Sequence, residues 1–354
     1  MSRKLITIST IMTLMSTSVI ADVPNVAADI APIHSLVSRV MDGVGAPKLI
    51  VQSGASPHGY RLRPSEAKAL QDADHVFWMG EELTPWLDSA IGTLASKASV
   101  TTLLDQQGVI LHDFREGALF EAHDHSAHGD DDHDDHDDHD DHDDHKDHDD
   151  HDDHKDHDDH DDHDDHDDHK DHDDHDDHDD HDDHGSHDPH AWLSPENAKL
   201  WLNIIASKLS VSDPENAATY FMNAAAGQAE IEAMIAEVKA TLKPVQGGKF
   251  VVFHDAYQYF ENDFDFYASG AISLGDSSDP SPARIEKVQK RIRDEGIQCV
   301  LAEPQFKKGL VATVMEGSDA TASVIDPLGT ELETGPKLYT RLIKNMAKTL
   351  RNCL

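Results

Sequence analysis

The chain has 354 residues, a formal net charge of −41, 28 histidines and only two cysteines. So acidic a surface repels polyanions and carries no basic stripe, which excludes nucleic-acid binding as a function class. The excess is local: residues 123–187 hold 35 Asp, 3 Lys and 22 His, which leaves the rest at about −9 and long enough for two lobes of ordinary size.

Residues 1–21 read as a secretory signal peptide. Arg3 and Lys4 form its basic start, residues 5–15 its apolar stretch, and Val19 and Ala21 the small residues expected before a cleavage site ahead of Asp22. The apolar stretch is interrupted by Thr and Ser and falls short of the roughly 20 residues that span a bilayer, which disfavours a membrane anchor. No cysteine near residue 22 could carry a lipid, so the expected compartment is a Gram-negative periplasm.

Short apolar runs at 48–51, 75–78 and 100–104, bounded by turn residues, predict buried parallel strands, with a helical pattern over 65–73 between the first two. Residues 123–187 then repeat Asp-Asp-His or Lys-Asp-His with a period of three. That step fits neither helix nor strand and offers nothing apolar to bury, so the segment is expected to be a disordered, self-repelling metal-binding loop. Asp213 and Pro214 are the expected N-cap and first position of a helix that Pro244 stops. Ile231, Met234, Ile235, Val238 and Leu242 repeat along it at helical spacing. At about 1.5 Å per residue it would reach roughly 45 Å, the length of a strut between lobes. Apolar runs at 250–253, 299–302 and 322–325 with a helical pattern over 281–295 repeat the alternation. The expected fold is therefore α/β: two lobes, each a mostly parallel sheet flanked by helices, bridged by one long rigid helix. The expected boundaries are 22–210 for the first lobe, 211–247 for the linking helix and 248–354 for the second lobe.

Six histidines lie outside the repeat. His58 follows the run at 48–51, His254 ends the run at 250–253, and His190 stands in Asp188-Pro-His-Ala-Trp192. Ligands of α/β folds bind at the carboxyl ends of strands, so His58 and His254 can face each other across a cleft. Three neutral imidazoles from separate loops suit Zn²⁺ and leave a fourth tetrahedral position open. Each histidine alone reads equally well as a hydrogen-bonded surface residue; the metal reading gains from the repeat, which ends three residues before His190. His34 within a helix and His75 at the start of a strand read as structural, and His112 borders the loop without an evident partner. The even cysteine number suits one disulfide in an exported protein, or else two buried thiols.

Four motifs carry a resemblance: Asp188-Pro-His-Ala-Trp-Leu-Ser-Pro-Glu-Asn197, Phe253-His-Asp-Ala-Tyr-Gln-Tyr-Phe260, Leu301-Ala-Glu-Pro-Gln-Phe306 and Ile325-Asp-Pro-Leu-Gly-Thr330. Together they resemble the ZnuA-type zinc-binding proteins of ABC importers, within the cluster A-I metal-binding family, over the whole chain outside the signal and the repeat. The resemblance implies two α/β lobes joined by a long helix, His58, His190 and His254 as metal ligands, a Cys299–Cys353 disulfide, and a His/Asp-rich loop before the second ligand. It implies Zn²⁺ as cargo, with one tight cleft site and weaker sites on the loop. The implied partners are a permease with its cytoplasmic ATPase and a possible periplasmic zinc chaperone, for a chain acting as a monomer. Where some relatives place a glutamate ligand just before the first histidine, this chain has Pro57, so Asp326 is the expected fourth ligand, with water or a loop histidine as alternatives. His254 favours zinc over manganese, whose binders carry a carboxylate there. Glu303 is expected to be structural or to support a ligand.

Two other functions compete. A three-histidine zinc site can activate water in a hydrolase, but no HExxH or GxSxG motif accompanies these histidines and no enzyme activity is expected. Alternatively, the repeat is a periplasmic metal buffer and the lobes its carrier. Its interchangeable imidazole and carboxylate donors would discriminate poorly among divalent metals.

Overall fold

The computed structural model describes residues 23–115, Phe120, and residues 187–273, 280–305 and 308–354. The expected signal peptide and all of the expected loop except His187 lie outside these residues. Two four-stranded sheets, all parallel, organise the rest. The first has the order β2-β1-β3-β4 from β1 (Val26–Ala28), β2 (Lys48–Leu49), β3 (His75–Trp78) and β4 (Ser99–Thr102). The second has the order β6-β5-β7-β8 from β5 (Phe250–His254), β6 (Ala271–Ser273), β7 (Cys299–Ala302) and β8 (Thr321–Val324). The inner strands β1, β3 and β5 are buried at every position, which is why the longer two, β3 and β5, read as apolar runs.

In each sheet the chain leaves the first strand to one side and returns on the other, so a topological switch point falls between β1 and β3 and another between β5 and β7. Crevices open at the carboxyl ends of such strands. At the first, Asp29 accepts hydrogen bonds from the Ile30 and Met79 amides at 2.7 Å each. At the second stand His254 and Glu303.

Helices α1 (Ala31–Val40), α2 (Pro64–Gln71), α3 (Pro85–Leu94) and α4 (Pro195–Ser212) belong to the first sheet's half of the chain. Helices α6 (Gln258–Phe264), α7 (Pro282–Glu295), α8 (Lys308–Met315) and α9 (Leu338–Cys353) belong to the second's. The long helix α5 is Ala217–Leu242, about 39 Å at 1.5 Å per residue. Flanking 3₁₀ turns, Pro214–Asn216 and Lys243–Val245, extend the rod to 32 residues. Asp213 therefore precedes a 3₁₀ turn rather than capping the α-helix itself; its carboxylate accepts from Asn216 and the Tyr220 hydroxyl, both at 2.7 Å.

α5 packs against α4, α9 and α1, burying Ile231, Met234, Val238 and Leu242. Gly227 makes the approach possible, since a Cβ there would meet Leu202 of α4 at 2.9 Å and Arg39 of α1 at 3.1 Å. One apolar core runs from Val26 in β1 to Leu350 in α9. Hydrogen bonds reinforce it: Ser35 of α1 donates to the Gly335 carbonyl at 2.8 Å and accepts from the Tyr339 amide at 3.0 Å. The Cys299–Cys353 disulfide pins α9 to β7, with a Cα–Cα distance of 5.6 Å.

Candidate metal centre

His254 is the last residue of β5, and Glu303 follows β7 directly, so the neighbouring strands set the two side chains side by side at the switch point. The His254 Nδ1 lies 2.5 Å from Glu303 Oε1. His190 ends the connection into the 3₁₀ turn Ala191–Leu193. Its Nδ1 lies 2.6 Å from Asp188 Oδ1, which also accepts the His190 amide at 3.0 Å. All four side chains are buried. A carboxylate at Nδ1 fixes the tautomer with the proton on that nitrogen and presents the Nε2 lone pair outward, the usual support of a metal-ligating histidine.

The two Nε2 atoms face each other at 3.4 Å. Nitrogens sharing a tetrahedral zinc at a Zn–N distance of about 2.0–2.1 Å stand about 3.3–3.4 Å apart. Two lone pairs this close in a buried site repel unless a proton or a cation lies between them.

His58 completes the expected set from the loop after β2. Trp86 donates its indole N–H to the Pro57 carbonyl at 2.6 Å, anchoring the chain just before it. The His58 ring centroid lies 5.6 Å from that of His190, and His190 lies 5.2 Å from His254. The three rings line one small pocket with Pro57, Trp192 and Gln305, closed on one side by Pro327 and Leu328. Its volume of ≈ 10 Å³ is about one ion or one water molecule. His58 is the least buried of the three. Among the described residues, no three His, Cys, Asp or Glu side chains are already drawn into one coordination sphere. The site is convergent and still open on the His58 side.

Asp326 stands beside this wall rather than in it. Its Oδ1 accepts the Leu328 and Gly329 amides at 3.0 and 2.9 Å, and its Oδ2 accepts the Thr330 amide and hydroxyl at 2.6 and 2.8 Å. Both oxygens therefore hold the turn that carries Pro327 and Leu328. Trp192 seals the turn from the other side by donating to the Pro327 carbonyl at 2.8 Å. Asp326 would reach a metal only by giving up part of this turn.

Among the described residues, His34, His75 and His112 lie outside the pocket's lining. His34 contacts the Pro47 carbonyl at 3.2 Å and His75 the Ser212 hydroxyl at 2.7 Å, the structural roles expected of them. His112 does have partners: its amide donates to the Tyr259 hydroxyl at 3.0 Å, and its ring packs on Tyr259 at 4.6 Å.

Sequence reasoning overlooked Asp188, Gln305 and Arg115. Asp188, two residues before His190, could have been found as a carboxylate within a turn of a candidate ligand. Arg115 could not, because its partners lie 140 and 146 positions away: it donates to Asp255 and Glu261, next to and beyond His254. Burial pushes Asp255 above the usual carboxylate range and Glu261 up to about 7, against the opposing pull of Arg115. Asp113 and His187 form an antiparallel bridge with a side-chain contact of 2.8 Å, and the Asp188 amide donates to the His112 carbonyl at 2.8 Å.

The sequence profile described as "Zinc-uptake complex component A periplasmic" matches residues 26–353. The chain belongs to this zinc-uptake component A family. It is a transport family of periplasmic binding components, not an enzyme family. Relatives named high-affinity zinc uptake system protein ZnuA include one from Brucella abortus, 47% identical over 329 residues, spanning 93% of this chain and 91% of the relative. Another, from Paracoccus denitrificans, is 44% identical over 94% of this chain and 93% of its own length. Among solved structures, a ZnuA crystal structure superposes with a TM-score of 0.66 at 19% identity, covering 94% of this chain and 99% of the other. A laminin-binding adhesin of Streptococcus agalactiae has the same TM-score at 18% identity, covering 94% and 99%. At such low identity these two establish the component A fold alone. Its choice of ligand must be argued from the side chains of the pocket.

Proposed function

We propose that this chain is the periplasmic component that captures Zn²⁺ and hands it to the permease and cytoplasmic ATPase of an ABC importer, binding the ion with His58, His190 and His254. The observation that carries the reading is the 3.4 Å separation of the His190 and His254 Nε2 atoms, each on a ring whose Nδ1 is held by a buried carboxylate. Neutral nitrogen donors suit zinc, whereas harder ions such as manganese prefer oxygen. His58, the more exposed member, closes the site last, which gives the ion a route in. The Brucella abortus and Paracoccus denitrificans relatives are both named high-affinity zinc uptake proteins, which supports the same cargo. The fourth position falls to Asp326, which would give up part of its turn, or to water or a loop histidine. We take the protein to act as a monomer that can accept zinc from a periplasmic chaperone.

Calorimetry on the exported chain and on His190→Ala and His254→Ala tests this. One tight zinc in the parent, lost in both variants while the histidine-rich segment still takes up weaker ions, is the expected result. Tight binding that survives both substitutions would instead move the function into the 123–187 segment and favour the buffer reading.

A further inference from the structure

Gln305 is the pocket-lining residue whose hydrogen bonding is incomplete. Its Nε2 donates to Glu303 Oε2 at 2.7 Å. Because a carboxylate only accepts, this contact orients the amide and turns the Gln305 Oε1 away from Glu303. That oxygen is sealed from solvent and has no hydrogen-bond partner among the described residues. A buried acceptor left unmet is costly, so a site that keeps one usually has a donor for it when occupied. The orientation is also inherited from a ligand: His254 Nδ1 holds Glu303, Glu303 holds the amide, and Gln305 lines the pocket together with His58, His190 and His254.

A metal ion on three histidines has a fourth position, and a water there needs acceptors for its protons. The neighbouring carboxylates are already engaged: Asp188 with His190, Glu303 with His254 and Gln305, and Asp326 with its own turn. We infer that Gln305 is a positioning residue for the fourth ligand, its Oε1 accepting a hydrogen bond from a water molecule bound to the metal. A neutral amide oxygen is a weak zinc ligand beside imidazole, so it acts through the water rather than on the ion. This rests on the three-histidine reading above. Its consequence is a site that holds a dication with neutral donors and one exchangeable water, fixed by a single amide.

The test uses the full-length exported chain with Zn²⁺ and, as a spectroscopic probe, Co²⁺, in Gln305→Leu and the similarly long Gln305→Met. Both variants should bind zinc about 5- to 20-fold more weakly, the loss of one hydrogen bond to a polarised donor. The visible Co²⁺ bands should shift. A crystal structure of the zinc-bound parent should show a metal-bound water within hydrogen-bond distance of Oε1. Unchanged affinity and Co²⁺ spectrum in both variants would overturn the inference, as would Asp326 or the Gln305 oxygen itself on the metal. In each of those cases tight zinc binding lost in His190→Ala leaves the three-histidine reading standing. Tight zinc binding retained in His190→Ala would remove both.

Discussion

Arg115 donates from Nη1 to Glu261 at 2.6 Å, joining the residue at the root of the acidic segment to a carboxylate 146 positions further along the chain. The same guanidinium bonds Asp255, the neighbour of His254, and its Cζ lies 3.6 Å from the Phe120 ring centroid. Asp255 and Glu261 are almost wholly buried, and Arg115 is their shared counter-charge. Replacing it strands both. Arg115→Met is therefore expected to destabilise the metal-free protein by about 3–5 kcal/mol, the usual cost of removing one partner from a buried ion pair. Urea denaturation measures it; a loss below about 1 kcal/mol would mean that the two acids share a proton and do not need the arginine.

Asp29 gives a pH signature. Burial raises its pKa from 3.8 to about 7. The folded state thus holds its proton more tightly than the unfolded chain, so the stability it contributes is full below pH 4 and is lost as pH rises through 7. His34, His75 and His112, whose pKa values burial lowers, act in the opposite sense and lose stability as pH falls. A comparison with Asp29→Asn isolates the carboxyl. The stability of the parent relative to the variant should fall from pH 5 to pH 8. A constant difference across that range would show that Asp29 does not titrate there.

Glu303→Gln weakens the acceptor that holds His254 Nδ1 without changing the shape of the site. Loss of such a supporting carboxylate typically costs 10- to 100-fold in metal affinity, and a fall in that range is expected for zinc, read by competition with a chromogenic chelator. Asp188→Asn should behave alike through His190. An affinity within two-fold of the parent in both would argue that the imidazoles are oriented by packing alone.

The 123–187 segment, with a charge of about −32, should draw cations electrostatically, an effect that salt screens. Deletion of 124–186 spares His187 and its bridge to Asp113. The deleted chain should keep the dissociation constant of the tight site within a few-fold and capture zinc more slowly at low ionic strength. Stopped-flow capture from a competing chelator, at low and high salt, separates this from storage; equal rates at low salt would leave the segment a buffer.

Much of this was legible in order of sequence. Strands buried on both faces must be apolar throughout, so 75–78 and 299–302 coincide with β3 and β7, and the alternation with helices announced two parallel sheets. The strands β1 and β6 escaped notice because three residues are too few to show a pattern. The candidate ligands could be picked out because each histidine follows a strand or opens a turn, a local property. Their support could not. Which carboxylate holds His254 depends on β5 lying beside β7, a pairing of residues 49 positions apart. That Asp326 spends both oxygens on its own turn, and that Gln305 keeps one free, are settled by hydrogen-bond directions that exist only once the chain has folded. Residue types and their periodicity determine which groups can bind; the directions of their lone pairs and protons, which decide what they bind, are set by tertiary packing.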